Sequence, residues 1–188
     1  MTSELLPKRV RFVELSARAL RALAEGDLAG GSAEAGVALD EYFVSDRARG
    51  IFGYRAGQLA EDPSVAPWIV RAAVSEPDGP VVGDAGFHGP PDEAGMVEVG
   101  YTVVPGYRRQ GYARAMLAAL LVRAAAEPGV RTVRARIGSG NDASLATTRA
   151  SVSRALASRG TSATGSSSSS RSRLTRSRPG SCTAAAES

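Results

Sequence analysis

The sequence has one cysteine, one histidine and one lysine among its 188 residues. The single cysteine, Cys182, excludes an internal disulfide and a metal site built from several cysteines. The single histidine, His88, argues against a zinc centre as well. We therefore expect a protein that works without a metal.

The sequence also lacks a run of about 18 apolar residues, the length that a transmembrane helix needs. Its opening stretch, MTSELLPKRVRFVEL, carries charges where a signal peptide has an apolar segment. We therefore expect a cytoplasmic protein with no membrane partner. With 43% hydrophobic residues, the chain is long enough for one domain with a core of its own.

Positive charge is concentrated near the C-terminus. Residues 1–148 contain 16 Lys and Arg against 18 Asp and Glu, whereas residues 149–188 contain 7 Arg against Glu187 alone, so net charges of −2 and +6 make up the total of +4. Serine divides in the same way, with 8 in the first part and 13 in the second. We predict a domain over residues 9–149 and a Ser/Arg-rich tail over 150–188 that buries too little apolar surface to fold.

Hydrophobic periodicity predicts a mixed α/β domain. Ser16 and Gly26 have the positions of the N-cap and the stop of a first helix. Residues 38–63 read as helical with interruptions at Gly50, Gly53 and Gly57. A further helix is predicted from residue 109 to about residue 127, and strands are predicted over residues 9–15, 67–74, 80–89, 96–105 and 130–138.

The stretch PGYRRQGYARAML, residues 105–117, joins the best-patterned strand to a helix. A loop at a helix N-terminus collects unpaired backbone N–H groups, and the helix dipole favours an anion there. Gly111 lets the backbone approach a phosphate closely, and Ala113 keeps the first turn open. Because Arg108 and Arg109 add positive charge, we predict a phosphate or pyrophosphate site at this loop.

Two common phosphate motifs do not fit. A Walker loop requires a lysine, and we expect Lys8 to lie far from this loop; the glycine pattern of dinucleotide-binding folds is absent after the first strand. What remains, Arg108-x-x-Gly111-x-Ala113, resembles the [RQ]-x-x-G-x-[GA] pattern of the GNAT family of N-acetyltransferases. VEVGYTVVPGYRRQGYARAML resembles the family's fourth strand, pyrophosphate loop and third helix, and NDASL, residues 141–145, resembles its N-x-A-S. The resemblance covers about residues 9–148 and implies the GNAT fold.

The resemblance implies that acetyl-CoA is the acetyl donor and lies in a wedge between the fourth and fifth strands. Main-chain groups of the fourth strand would bind its pantetheine arm, and those of the following loop its pyrophosphate. The residues implied to bind acetyl-CoA are Thr102, Val103, Val104, Arg108, Arg109, Gln110, Gly111, Tyr112, Ala113 and Asn141.

Glu98 lies on the fourth strand, where many members of the family place a carboxylate that deprotonates the amine through water. The alternative is a solvated strand glutamate. His88 could line the acceptor pocket or be an ordinary surface residue. Asn141 could likewise be only a helix N-cap, and Thr148 stands where many members have the tyrosine that protonates the leaving thiolate.

The resemblance implies an acyltransferase in which a primary amine attacks the thioester directly. The acceptor is a small-molecule amine or a protein N-terminus. Two alternatives stay open: a non-catalytic acyl-CoA-binding domain, and nucleic-acid binding through the basic tail, which we favour less. The alanine-rich helix over residues 114–126 could equally form a homodimer interface.

The tail departs from the family, which continues with a helix, a Leu-Gly-Phe turn and two closing strands. Read one nucleotide earlier, permissible codons from Ser151 onward give Leu-Gly-Phe, beginning ten residues after Asn141, and then the strand-like LELVFEVE. We predict that the sequence after about residue 149 is a frameshift product, so that the C-terminal helix and strands are missing and a sheet edge stays unpaired. Sequencing the gene tests this.

Overall fold

The computed structural model describes residues 7–135. In this range it contains five strands: β1 Val10–Glu14, β2 Arg71–Ser75, β3 Val81–Phe87, β4 Met96–Val103 and β5 Thr132–Ala135. The four helices of this range are α1 Ala17–Glu25, α2 Leu28–Ala35, α3 Asp46–Glu61 and α4 Tyr112–Ala126. Short 3₁₀ turns occur at Glu41–Val44, Pro63–Val65 and Pro105–Tyr107. The predicted mixed α/β class is confirmed.

The strands form one sheet in the order β1-β2-β3-β4-β5. Neighbours from β1 to β4 are antiparallel, whereas β4 and β5 are parallel and are connected through α4. Parallel strands require such a crossover, which here places α4 across one face of the sheet. The loop that enters α4 therefore begins at the end of β4, next to the β4–β5 pair.

Capping residues set the limits of α1 as predicted. The Ser16 hydroxyl accepts a hydrogen bond of 3.0 Å from the backbone N–H of Ala19, and Gly26 ends the helix with a φ of 92°. The sequence analysis missed α2, which follows at once. Its N-cap, Asp27, accepts from the N–H of Gly30, and Gly31 fits because a Cβ there would collide with Leu23.

The helix α3 is continuous, so the predicted interruptions at its glycines are wrong. Gly50 and Gly57 face open space, and Gly53 lies against Ala24 of α1. Each glycine lowers helix propensity by about 1 kcal/mol relative to alanine, but buried side chains on the other face of α3 outweigh that cost. These are Ala48, Phe52, Ala56 and Leu59.

The two faces of the sheet are covered differently. On one face, α1 and α3 bury a cluster that includes Phe43 and Phe52, whose rings stack at 5.6 Å. On the other face, α4 packs Met116, Leu117 and Leu120 onto the strands. The strand β2 begins at Arg71, later than predicted, because the chain continues to turn over residues 66–69 after the 3₁₀ turn at Pro63–Val65.

Within the described range, no helix is long and apolar enough to cross a membrane. Asn141, Thr148, Cys182 and the predicted tail over residues 150–188 lie outside the described residues. The domain limit and the frameshift therefore stay predictions.

Candidate active site

The loop between β4 and α4 leaves its main chain open. Arg109 has a φ of 61° and Gly111, the N-cap of α4, has a φ of 91°. Within residues 7–135, the backbone N–H groups of Arg109, Gln110 and Gly111 make no hydrogen bond to a backbone or side-chain acceptor. The first N–H groups of α4 add to them, since a helix leaves its first turn unpaired. The loop has the donors and the dipole that bind an anion.

Two side chains of this loop stabilise its conformation through hydrogen bonds to nearby main-chain carbonyls. Arg108 Nε donates a hydrogen bond of 3.2 Å to the carbonyl oxygen of Val103, and Gln110 Nε2 donates one of 3.0 Å to that of Gly106. Both contacts tie the loop to its own start. The charge of Arg108 is not neutralised by its contact with a carbonyl, and the exposed Arg109 adds its own positive charge to the loop.

Tyr112 anchors the first turn of α4. Its side chain is buried, and its hydroxyl lies 3.0 Å from the Ser75 hydroxyl at the end of β2. The Tyr107 ring packs edge-on against the Tyr112 ring at 6.1 Å. The Tyr112 side chain therefore serves the fold, and its backbone N–H, the group to which the resemblance assigns pyrophosphate binding, remains as a donor beside the loop.

Lys8 lies beside this loop, contrary to the sequence analysis. Its Nζ is 5.2 Å from the centroid of the Tyr112 ring, and its Cγ would be 3.7 Å from a Cβ added to Gly111. The pairing of Val10 with Ser75 brings the start of the described chain to the loop. This placement could not be read from sequence distance, because it depends on strand pairing.

Along β4, the backbone groups of successive residues point alternately towards β3 and towards the opposite edge of the strand. The Val104 N–H donates to Val82 and its carbonyl accepts from Tyr107, so both groups are already paired. Strand alternation turns the backbone groups of Thr102 towards β3 as well. Of the three residues implied to bind pantetheine, Val103 is therefore the one whose main chain faces away from β3, beyond the described pairing of β4 with β5, which ends at Val99. Its carbonyl accepts from Arg108.

Glu98 and His88 form a pair on the face of β4 that points away from α4. His88 Nδ1 is 3.1 Å from Glu98 Oε1, and the Glu98 side chain is only 14% exposed against 50% for His88. Strand alternation puts Glu98 on the same face as Gly100, where the imidazole lies: a Cβ at Gly100 would be 2.9 Å from His88 Nε2. Arg55 Nη1 donates a 3.0 Å hydrogen bond to the His88 carbonyl and holds the end of β3.

A second carboxyl on this face was missed by the sequence analysis. Asp84 of β3 lies opposite Thr102 of β4 and is only 6% exposed. Burial raises the pKa of Asp84 to about 7, although the nearby Tyr42 hydroxyl and Arg47 guanidinium lower it in part. Burial together with Asp84 likewise raises the pKa of Tyr42 to about 12. The one signal in the sequence is an acidic residue in the middle of the apolar strand VVGDAGF.

Among residues 7–135, no three His, Cys, Asp or Glu side chains lie where they could hold a metal ion. The chemistry available in this region is therefore that of an open main-chain loop, a Glu98–His88 pair and a buried carboxyl.

A sequence model of the acetyltransferase (GNAT) domain matches residues 35–151, which is more than half of the chain. The chain belongs to the GNAT family of acetyltransferases. The matched range contains β4, the loop and α4, together with Glu98, His88 and Asp84. No curated protein matches the chain in a sequence search.

Solved structures share the GNAT fold with this chain. One is the ribosomal L7/L12 alpha-N-protein acetyltransferase RimL in complex with coenzyme A, with a TM-score of 0.50, 16% identity, and coverage of 76% of this chain and 78% of that one. Another is a chimera of the spermidine N-acetyltransferase SpeG from Vibrio cholerae and hSSAT, with a TM-score of 0.51, 10% identity, and coverage of 76% and 79%. At these identities the likeness concerns the fold.

Proposed function

We propose that this GNAT protein transfers an acetyl group from acetyl-CoA to a primary amine. The observation that carries the proposal is the row of unpaired N–H groups over residues 109–111, at the N-terminus of α4 and beside the β4–β5 pair. A diphosphate needs such donors, and the fold neighbour RimL contains coenzyme A.

The donor would lie with its diphosphate on the loop and its pantetheine arm along β4. Arg109 is free to approach a phosphate, and Lys8 adds a second positive charge beside Gly111. The Val103 N–H faces the β5 side, where it can donate to an amide of the pantetheine arm. Arg108 contributes indirectly by fixing the carbonyl of Val103.

Glu98 is the base of the proposed reaction. An amine must be neutral to attack, so one proton of the ammonium passes to Glu98, directly or through a water. The neutral nitrogen then attacks the thioester carbonyl carbon and a C–N bond forms. The C–S bond breaks as the thiolate of CoA leaves, and the second proton lost by the nitrogen converts this thiolate to the thiol. His88 Nδ1, 3.1 Å from Glu98 Oε1, orients the carboxylate and opens a path for its proton to solvent.

The acceptor pocket lies on the face of β4 that carries Glu98. A small-molecule amine and a protein N-terminus both meet the chemical requirement, and the fold neighbours are named for both kinds of acceptor. The rival proposal is a non-catalytic acyl-CoA-binding domain. It is favoured by Thr148, where many members of the family have an acidic tyrosine hydroxyl.

Calorimetry with acetyl-CoA and a free-thiol release assay over a panel of amines test the proposal on the 188-residue chain. We expect binding of acetyl-CoA and amine-dependent release of CoA. Binding without release for any amine would favour the non-catalytic alternative. No binding at millimolar acetyl-CoA would contradict both the acetyltransferase and the non-catalytic acyl-CoA-binding domain.

A further inference from the structure

Three oxygen-bearing side chains meet on the face of the sheet that also carries Glu98. They come from Asp84 of β3, Thr102 of β4 and Tyr42 of the 3₁₀ turn Glu41–Val44, and we call them the Asp84 cluster. The Tyr42 hydroxyl lies close to both other side chains and changes the pKa of Asp84. The cluster joins residues that are far apart in the sequence.

Two atoms of the cluster are buried without a hydrogen-bond partner in the described range: Asp84 Oδ2 and Tyr42 Oη. No arginine or lysine nitrogen within residues 7–135 lies within 4.0 Å of the Asp84 carboxylate, and the guanidinium of Arg47 belongs to an exposed residue. Leaving a buried polar group unpaired costs about 1–3 kcal/mol, so native structures rarely do so without a reason.

The other buried charge of the described chain is partly paired. Arg55 donates to Gln58 Oε1 at 2.6 Å and to the His88 carbonyl at 3.0 Å, while its Nε is buried without a partner in the described range. In the Asp84 cluster two such atoms come from neighbouring side chains, which distinguishes it from the single unpaired Nε of Arg55. A carboxyl of this kind is suited to receive a donor from outside the chain.

We propose that the Asp84 cluster binds an ammonium group of the acceptor, distinct from the nitrogen that is acetylated, so that the acceptor is a diamine or polyamine. An ammonium offers three N–H donors to the three side chains of the cluster, and its charge neutralises the buried carboxylate. The proposal rests on the proposed acetyl transfer, which supplies the reaction at the other nitrogen.

The spacing along β4 sets the length of the acceptor. Thr102, opposite Asp84, lies four residues beyond Glu98 on the same face, or about 13 Å at the rise of a strand. One nitrogen at the Glu98–His88 pair and another at the Asp84 cluster therefore require an extended chain between them. Short diamines cannot reach both positions.

The charge of the cluster gives the binding a pH dependence. The titratable and charged groups around Asp84 are Tyr42, whose pKa is itself raised, and Arg47. Bound ammonium favours the ionised carboxylate, so binding near pH 7 releases a proton from Asp84. Affinity for the diamine should accordingly fall as the pH drops below about 7.

The test compares Asp84→Asn with the wild-type chain, because asparagine keeps the shape and removes the charge. The probes are α,ω-diamines of four to ten carbons and amino alcohols of the same lengths, in which a hydroxyl replaces the second amine. For the long diamines we expect KM at least about tenfold below that of the matched amino alcohols, as charged hydrogen bonds allow. In Asp84→Asn this preference should fall to about unity, because the KM for the diamines rises while the KM for acetyl-CoA stays the same.

A second measurement does not depend on turnover. Calorimetry of a long diamine in buffers of different ionisation enthalpy should detect proton release near pH 7 in the wild type and none in Asp84→Asn. Equal KM values for diamines and amino alcohols in the wild type, or a diamine preference that persists in Asp84→Asn, would overturn the ammonium site while leaving acetyl transfer intact. Absence of acetyl transfer to every amine, with diamine binding retained, would remove the proposed function instead.

Discussion

The two faces of the β3–β4 pair use the same strands for different purposes. On the face towards α4, the residues of β4 are Val97, Val99, Tyr101 and Val103, which pack against an apolar helix. On the other face they are Glu98, Gly100 and Thr102, and β3 adds Asp84. Because side chains alternate along a strand, one residue in two can be chosen for chemistry while its neighbours hold the sheet to α4.

This division predicts which measurement each substitution affects. A change on the α4 face should alter the free energy of unfolding, whereas a change on the polar face should alter the reaction more than the fold. Substitutions chosen from each face can separate the two roles.

The largest effect is expected for Glu98→Gln. Loss of the proposed base should lower kcat by about 10²–10⁴-fold, with little change in the free energy of unfolding. Glu93→Gln, an exposed glutamate in the loop before β4, is the matched control and should keep full activity. An unchanged kcat in Glu98→Gln would show that the base lies elsewhere.

On the opposite face, Leu120→Ala should reduce the free energy of unfolding by about 2–5 kcal/mol, because it opens a cavity beneath α4. Val122 lies on the same helix but is 71% exposed, so Val122→Ala should change the stability by less than about 0.5 kcal/mol. Urea unfolding of the two variants makes the comparison. Equal losses would mean that α4 does not pack on the sheet as described.

A smaller effect is expected for the pH dependence of stability, to which the buried carboxyl of Asp84 contributes. Its pKa is raised from an ordinary value near 4 to about 7, so the folded state holds a proton that the unfolded state has lost. Stability should therefore fall as the pH rises from about 4 to 7, by at most about 1.4 kcal/mol per pH unit, and then level off. Asp84→Asn should lack this component when unfolding is measured across that range; identical pH profiles would contradict it.

The smallest effect on stability is expected in the loop between β4 and α4. Gly111→Ala places a side chain at a φ of 91°, which should cost about 1–2 kcal/mol of stability and weaken the binding of acetyl-CoA. Gly106 of the same loop faces open space and has no positive φ, so Gly106→Ala serves as the stability control. If both variants unfold alike, backbone conformation is not what Gly111 provides.

Features coded by neighbouring residues were predictable from the sequence. Ser16 and Gly26 cap α1 through contacts a few residues away. The strand β4 was predicted from its alternating pattern, and the glycine loop was recognised from its position before α4. The acetyltransferase family followed from these local patterns.

Features that depend on distant contacts were not predictable. Lys8 reaches the loop only because β1 pairs with β2 and Ser75 contacts Tyr112. Asp84 meets Tyr42 only once the turn before α3 lies over the sheet. The helix α2 was missed because its two glycines obscure a helix that Asp27 caps.

The guanidinium of Arg55 links α3 to His88, the residue that follows β3. By donating to the main-chain carbonyl of His88, it fixes the start of the loop that carries the imidazole. Tyr54 belongs to the same chain of contacts, since the Arg55 guanidinium carbon lies 5.3 Å from the centre of its ring. A replacement on the exposed side of α3 can therefore be transmitted through Arg55 to the imidazole that contacts Glu98.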